Sequence, residues 1–418
     1  MSEEFEYLEE YRHPYSACLN LTDSCNLACI YCFVQQQPNF MTFQVAKDGV
    51  DWLAANLNWW REYTHDPQFK GSITYFGGEP TLMWDEIIVP LTAYIKETYP
   101  DYFDLTITTN GTLLNEERIK FLYDNQIYPL LSIDGVKEVQ DYNRPMRDGS
   151  SGFDKLIEII PTLLYYFPYT TFRMTLIPDT LDKFFESYCW AEDNHFKNIY
   201  FCPNSRIKWK KEELNTFREQ LDLIMARRFV NYSNGLQSIG SSQIDDAFRD
   251  VLDNDAYRYL NYFPDRKDRT LKRCGLGTGS CSIGYNGDIY GCQEQDSRTK
   301  NIFYLGNIYK NGIEKDKHKF LLQSYSSQDL MKTNEENIDC EVCFLKYSCY
   351  QANCPSSAYD TFNSFFVKNY VNCVLRQTLY THAITFMNIF VEQDNQTFKK
   401  YLDDVYKEYK EKEEEDNE

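Results

Sequence analysis

Residues 17–35 read ACLNLTDSCNLACIYCFVQ. The first six alternate apolar and polar side chains, the period of a half-buried strand. Cys25, Cys29 and Cys32 then follow, with three and then two residues between them. Three thiolates on one short loop can hold three corners of an iron–sulfur cube and leave the fourth iron without a protein ligand. A cube that only carries electrons takes four thiolates. The bland alternative is structural zinc, which normally also takes four ligands. Such a loop directly after a strand places the chemistry beyond a strand's carboxyl end, where ligands bind in parallel α/β folds.

Working outward, five more β-rich runs recur: GSITYF (71–76), DLTITT (104–109), YPLLSID (128–134), TFRMTLI (171–177) and KNIYFCP (197–203). Between the first two strands Val50, Leu53, Leu57 and Trp60 recur at helical spacing within Thr42–Tyr63. Helical patterns also follow Glu79, Asn115, Gly152 and Thr180. Six strand–helix units predict a parallel sheet with right-handed crossovers. Six is too few to close an eight-stranded barrel, so the expectation is an α/β fold with an open, partial (β/α)6 TIM-type barrel over residues 1–203. A charged helical bridge is expected over 204–270, and a cysteine-rich region with little regular structure over 271–375. A C-terminal helix and acidic tail are expected over 376–418.

The 418 residues include 34 Tyr and 28 Phe, enough for a sizeable core. Fourteen cysteines behind an acidic, polar start, MSEEFEYLEEYRHP, point away from a secreted disulfide framework and toward metal ligation in a reducing, cytoplasmic setting. No run approaches the ~20 apolar residues of a membrane span, and Leu156–Phe167 is short and interrupted by Pro161. A net charge of −20 argues against nucleic acid, which requires clustered Lys and Arg. It suits a basic peptide, and equally a generally acidic surface.

Gly77, Gly78, Glu79 and Pro80 follow the second strand. Paired glycines let backbone approach a ligand, and Glu79 offers a carboxylate to an ammonium group. Thr108, Thr109, Asn110 and Gly111 close the third strand, and Ser132, Ile133, Asp134 and Gly135 the fourth. The three-cysteine loop, with Tyr31 and Phe33 flanking its last cysteine, resembles the radical S-adenosylmethionine superfamily, and GGEP one strand later resembles its element for the methionyl amino group. The run GVKEVQDYNRPMRDGSSGF resembles the peptide- and protein-modifying branch. The resemblance implies that Cys25, Cys29 and Cys32 hold the catalytic 4Fe-4S cluster, whose open iron chelates S-adenosylmethionine. It further implies that Gly77, Gly78, Glu79, Pro80 and Asn110 line the cofactor, that Tyr31 lies against the adenine, and that Ser132 and Arg144 hold the carboxylate. Arg144 suits that work because its planar fork grips a carboxylate at two points. Without the resemblance, Ser132 reads as a strand-end hydroxyl, Arg144 as a surface ion pair and Tyr31 as a core aromatic.

Cys274, Cys281, Cys292, Cys340, Cys343, Cys349, Cys354 and Cys373 fall within about a hundred residues. Eight cysteines suffice for two fully ligated cubes; Cys-x-x-Cys pairs also hold zinc. The spacing Cys274, twelve residues, Gly287, four residues, Cys292 resembles the SPASM auxiliary-cluster region, although four residues separate Cys349 from Cys354 where three is usual. By that resemblance Cys274, Cys292 and Cys354 hold the nearer auxiliary cluster, with Cys281 as its fourth ligand or absent from it. Cys340, Cys343, Cys349 and Cys373 hold the outer one, for three 4Fe-4S clusters in all. Cys18 and Cys202 read as small strand residues, and Cys189 as helical.

The resemblance implies an oxidoreductase that makes a 5′-deoxyadenosyl radical and abstracts hydrogen from a residue of a ribosomally made precursor peptide, installing an oxidative thioether crosslink. Its partners would be that peptide and a low-potential donor such as flavodoxin or ferredoxin. Leader recognition, if needed, would use a separate protein or the segment near 204–270, since only 24 residues precede Cys25. The competing branch comprises anaerobic sulfatase-maturing enzymes, which form formylglycine from Cys or Ser. There an aspartate base directly follows the cysteine matching Cys292. This chain has Gln293, which accepts no proton, and then Glu294 and Asp296 as substitutes. A non-catalytic electron carrier is the remaining reading, but it would need neither GGEP nor an open iron.

Overall fold

The computed structural model describes residues 7–253, 275–297, 300–326, 343, 345, 354–365 and 370–417. All six anticipated strands are present: β1 (Ser16–Asn20), β2 (Gly71–Phe76), β3 (Phe103–Thr109), β4 (Ile127–Ser132), β5 (Thr171–Leu176) and β6 (Asn198–Pro203). The helices between them are α1 (Phe43–Thr64), α2 (Val89–Thr98), α3 (Glu116–Asp124), α4 (Lys137–Asn143), α5 (Gly152–Tyr166) and α6 (Phe184–Asp193). This is the α/β alternation of a partial TIM-type core.

The chain divides into two compact units. One compact unit comprises Met1–Ile133, Gln140–Thr170 and Thr270–Asp329; the other comprises Asp134–Val139, Thr171–Arg269 and Leu330–Glu418. The cysteine-rich region is more regular than expected, because it supplies β7 (Ser280–Ile283), β8 (Asp288–Tyr290), β9 (Tyr304–Asn307) and β10 (Gly312–Ile313). β7 pairs parallel to β1 and the other three follow antiparallel. An open β1 edge would present unpaired N–H and C=O groups; β7 covers it, and so draws this region into the first unit.

In that unit β1, β2, β3 and β4 pair parallel in sequence order. The pleat sends Ala17, Leu19, Ile73, Tyr75, Leu105 and Ile107 to an apolar face, all buried. The other face carries Cys18, Thr74 and Thr106, with Thr74 and Thr106 hydroxyls 2.8 Å apart. α1 covers the apolar face: Thr42 caps it by accepting from the Val45 N–H, and Val50, Leu53 and Leu57 are fully buried, each contributing about 1.5–3 kcal/mol. A methyl added to Gly49 of α1 would stand 3.5 Å from Ile283 Cδ1, so Ile283 of β7 faces α1. α5 follows Gly152 as expected and runs unbroken through Pro161. Pro161 lies on the exposed side of the helix, where water can satisfy the carbonyl it frees.

The second unit pairs β5 parallel with β6 and adds α7 (Lys211–Ser233), α8 (Ser242–Asp253) and helices over Pro355–Phe362, Tyr370–Phe386 and Gln396–Asn417. α7 and α8 meet the helical expectation for 204–253; residues 254–270 lie outside the described ones. The C-terminal part is two helices rather than one, the first beginning at Tyr370 and carrying Cys373. Arg228 is fully buried and donates to the Ile239 carbonyl (2.5 Å) and to the Tyr188 and Tyr232 hydroxyls.

Candidate active site

The three-cysteine loop leaves β1 under close control. The Leu21 N–H donates to the Phe76 carbonyl (2.9 Å) and the Ser24 N–H to Thr22 Oγ1 (3.0 Å). Further on, residues 143–147 run along the loop: the Ala28 N–H donates to the Pro145 carbonyl, the Ile30 N–H to the Asn143 carbonyl, and the Arg147 N–H to the Asn26 carbonyl, at 2.9–3.1 Å. Arg147 Nε adds a bond to the Cys25 carbonyl at 3.0 Å. The same segment delivers Arg144, whose buried guanidinium lies 5.4 Å from the Tyr31 ring centre. Sequence reasoning paired these two residues only through the cofactor; the fold stacks one over the other and makes Pro145–Arg147 a clamp on the cysteines.

GGEP plays a more structural part than anticipated. The Gly78 N–H donates to the Thr22 carbonyl (2.6 Å) and the Glu79 N–H to the Ser24 carbonyl (2.9 Å). A Cβ on Gly77, whose φ is +136°, would come within 2.6 Å of Asn20 Oδ1. One on Gly78 would collide with the Ser24 backbone, its carbonyl carbon 2.6 Å away. The paired glycines therefore admit the backbone that leads into Cys25. Gly78→Ala is expected to cost about 1–3 kcal/mol by overpacking and to lower the iron taken up by the cluster expected on Cys25, Cys29 and Cys32. Iron content after anaerobic reconstitution checks this against Gly152→Ala, whose added methyl meets only ordinary contacts from 3.6 Å.

Glu79 is buried and its carboxylate ties two strand ends together. Oε1 accepts from the Thr81 N–H, the Thr81 hydroxyl and the Thr109 hydroxyl, and Oε2 from the Asn110 N–H. Burial pushes its pKa up against these bonds. Pro80 opens a short 3-10 turn, Pro80–Met83. The Asn110 side chain reaches the cluster loop, donating to Asn26 Oδ1 (2.9 Å) and lying 3.8 Å from Cys25 Sγ. Ser132 is buried at the end of β4.

The thiols fit an iron–sulfur cube. Burial, with Glu79, Cys29 and Cys32 close by, pushes the Cys25 thiol up to about 12, while the Leu27 N–H donates to its sulfur at 3.4 Å. A thiol held neutral by its surroundings becomes a thiolate through a bound metal, and N–H donors are already turned toward the sulfur. Among the described residues no three His, Cys, Asp or Glu side chains gather around a single ion; a cube takes one thiolate at each of three irons.

A second constellation lies at the same strand ends and was only partly foreseen. Asn20 Nδ2 bridges Asp23 Oδ1 (2.9 Å) and Asp296 Oδ1 (3.1 Å), Ser282 donates its hydroxyl to Asp296 Oδ2, and Asn39 donates to Asp23 at 2.8 Å. All but Asn39 are buried. Burial foremost, with the Asp23 charge adding, raises Asp296 to about 7. Gln293 and Glu294 stand half-buried in the turn before it.

The remaining cysteines are divided. Cys281 lies on β7, one residue from Ser282, so the pleat turns it to the α1 side with Ile283. Burial foremost, with the Cys18 thiol close by, raises its own thiol. Cys292 follows β8 on a turn closed by the Gln295 N–H. In the second unit Gln377 donates to Cys343 Sγ at 3.5 Å and stands one turn beyond Cys373 on the same helix, which brings two expected ligands of the outer cluster to one helix face. Cys354 sits at the N-terminus of the helix Pro355–Phe362. Cys274, Cys340 and Cys349 lie outside the described residues. Cys18 and Cys202 are on strands and Cys189 on α6, as expected.

Residues 19–190 match the radical SAM superfamily. The chain is 23% identical over 372 residues to a cysteine-type anaerobic sulfatase-maturating enzyme of Clostridium novyi (strain NT), covering 83% of this chain and 93% of that protein. Its fold resembles that of anSMEcpe solved with bound AdoMet and the Kp18Cys peptide, with a TM-score of 0.67, 20% identity, and 90% and 99% of the two chains covered. Streptococcus suis SuiB bound to precursor peptide SuiA resembles it with a TM-score of 0.50 and 17% identity, over 86% and 75% of the two chains. Among the described residues no helix is long and apolar enough to cross a membrane.

Proposed function

The chain is a radical S-adenosylmethionine enzyme of the SPASM-like type, and from that premise we propose that it oxidises a Cys or Ser side chain of a peptide or protein substrate to formylglycine. The observation that carries this reading is the buried Asp296, held by Ser282 and Asn20 at the carboxyl ends of the strands. It offers a proton acceptor where Gln293 cannot serve. When bound, the clusters and S-adenosylmethionine supply hydrogen-atom abstraction from the substrate Cβ and an exit for the remaining electron. The protein's own residues do the rest. Arg144, stacked on Tyr31, holds the cofactor carboxylate, and Ser132 joins it. Asn20 and Ser282 orient Asp296, whose affinity for a proton near neutrality matches general-base work. Asp296 takes the O–H or S–H proton released as the carbon–heteroatom bond becomes a double bond. A Ser then carries the aldehyde directly, and a Cys gives a thioaldehyde that water hydrolyses with release of hydrogen sulfide.

A second reading keeps the same machinery and ends in a thioether crosslink on a precursor peptide. Gln293, in place of an aspartate directly after Cys292, favours it. In either case the partners would be the peptide and a low-potential electron donor, and three 4Fe-4S clusters would serve. The reductively loaded enzyme should be incubated anaerobically with S-adenosylmethionine and either of two synthetic peptides. One carries a single Cys and nothing for it to join; the other carries several Cys residues. A hydrazide-reactive aldehyde on the single-Cys peptide is the expected result. Loss of two hydrogens with one thiol consumed, confined to the second peptide, would replace formylglycine with the crosslink.

A further inference from the structure

We propose that the side-chain amide of Asn110 sets the reduction potential of the cluster held by Cys25, Cys29 and Cys32, as a positioning residue acting through the Cys25 sulfur. Asn110 Nδ2 carries two protons and has two acceptors in reach, Asn26 Oδ1 at 2.9 Å and Cys25 Sγ at 3.8 Å. Its orientation is fixed from the other side, where Asn110 Oδ1 accepts from the Thr112 N–H (3.0 Å) and the Thr112 hydroxyl (2.7 Å). A flipped amide would set NH2 against an N–H donor, so the hydrogen bonds assign the nitrogen to the sulfur side. Asn26 Nδ2 closes the triangle by donating to Thr112 Oγ1 at 2.8 Å. The backbone is held as well, since the Asn110 N–H donates to the buried Glu79 Oε2. An amide tied at three points cannot swing away from the sulfur.

The consequence is electrostatic. An N–H directed at a ligating sulfur favours the cluster state with one more electron, because the donor offsets charge delocalised onto that sulfur. The Leu27 N–H, 3.4 Å from the same atom, is a second donor, from the backbone, that substitutions at Asn110 leave in place. Asn110 is thus the adjustable half of the pair. The inference concerns the cluster and not the substrate, so failure of the formylglycine reading leaves it standing.

The test is an anaerobic redox titration of the holoenzyme without S-adenosylmethionine, followed by electron paramagnetic resonance. The spectrum of a variant with Cys25, Cys29 and Cys32 all changed to Ala supplies the auxiliary-cluster background. Asn110→Leu keeps the bulk and loses both N–H groups. At a fixed ambient potential its ratio of reduced to oxidised radical cluster is expected to fall three- to tenfold, tenfold being about 59 mV for one electron. Thr112→Val, which frees one anchor of the amide and touches no thiol, should give a smaller fall in the same direction. An unchanged ratio in Asn110→Leu with full iron content overturns the proposal. If Asn110→Leu holds no iron, the Thr112→Val titration decides, and an unchanged ratio there overturns it equally. A change confined to S-adenosylmethionine affinity, with the ratio unmoved, would make Asn110 a cofactor contact and nothing more.

Discussion

Asp296→Asn is expected to make the protein more stable at pH 8 while abolishing product formation. The carboxyl is buried and its pKa rises from 3.8 to about 7 in the folded chain, a difference of about three units. At 1.36 kcal/mol per unit this amounts to about 4 kcal/mol. The sign follows from which state binds the proton. The folded chain holds it more tightly, so the favourable contribution is complete below about pH 4 and is lost as the pH rises toward 7. Above that, folding carries a buried charge that hydrogen bonds from Ser282, Asn20 and the Ser297 backbone only partly offset. Asparagine keeps the shape, removes the charge and should flatten this stretch of the stability profile. Thermal midpoints of the anaerobic holoenzyme at pH 5 and pH 8 read it directly. Removing a general base costs about 10²–10⁴ in rate, so the aldehyde product should vanish while 5′-deoxyadenosine still forms. Product at the parental rate would sink the proton-accepting role, whatever the stability did.

Glu79→Ala should be the more damaging change to the fold. It strands four buried donors at once: the Thr81 N–H, the Thr81 and Thr109 hydroxyls and the Asn110 N–H. At ~1 kcal/mol or more for each unsatisfied group the loss is about 4 kcal/mol. The ends of β2 and β3 should part, and the cysteine loop with them, because the Glu79 N–H also holds Ser24. Lower denaturation midpoints and poor iron retention are the expected readouts. Glu79→Gln retains one carbonyl oxygen and turns an NH2 toward donors, so it should fall between the parent and Ala. A loss below about 1 kcal/mol in Glu79→Ala would mean that water replaces the carboxylate at all four groups.

The strands, α1 and the cysteine loop were legible because their signals are local. Alternation over a few residues marks a strand wherever it lies, and Cys25, Cys29 and Cys32 owe their shared loop to spacing alone. GGEP was found for the same reason, although its glycines proved to admit the Thr22–Ser24 backbone. The regularity of residues 280–313 was missed because β7 to β10 are only two to four residues long. Such strands are fixed by the β1 edge they cover and have too little pattern of their own.

What the sequence determined by itself was the class of chemistry: three thiols too few for a closed cube, followed by strand ends bearing glycines, hydroxyls and carboxylates. Tertiary structure alone decided how that chemistry is held. Residues 143–147 clamp a loop more than a hundred positions earlier, Asn110 turns toward Cys25 across 85 residues, and Asp296 meets Asn20 across 276. Hydrogen bonds and proton affinities depend on distance and on exclusion of water. Two residues so far apart in the chain acquire both only when the sheet brings their strand ends together.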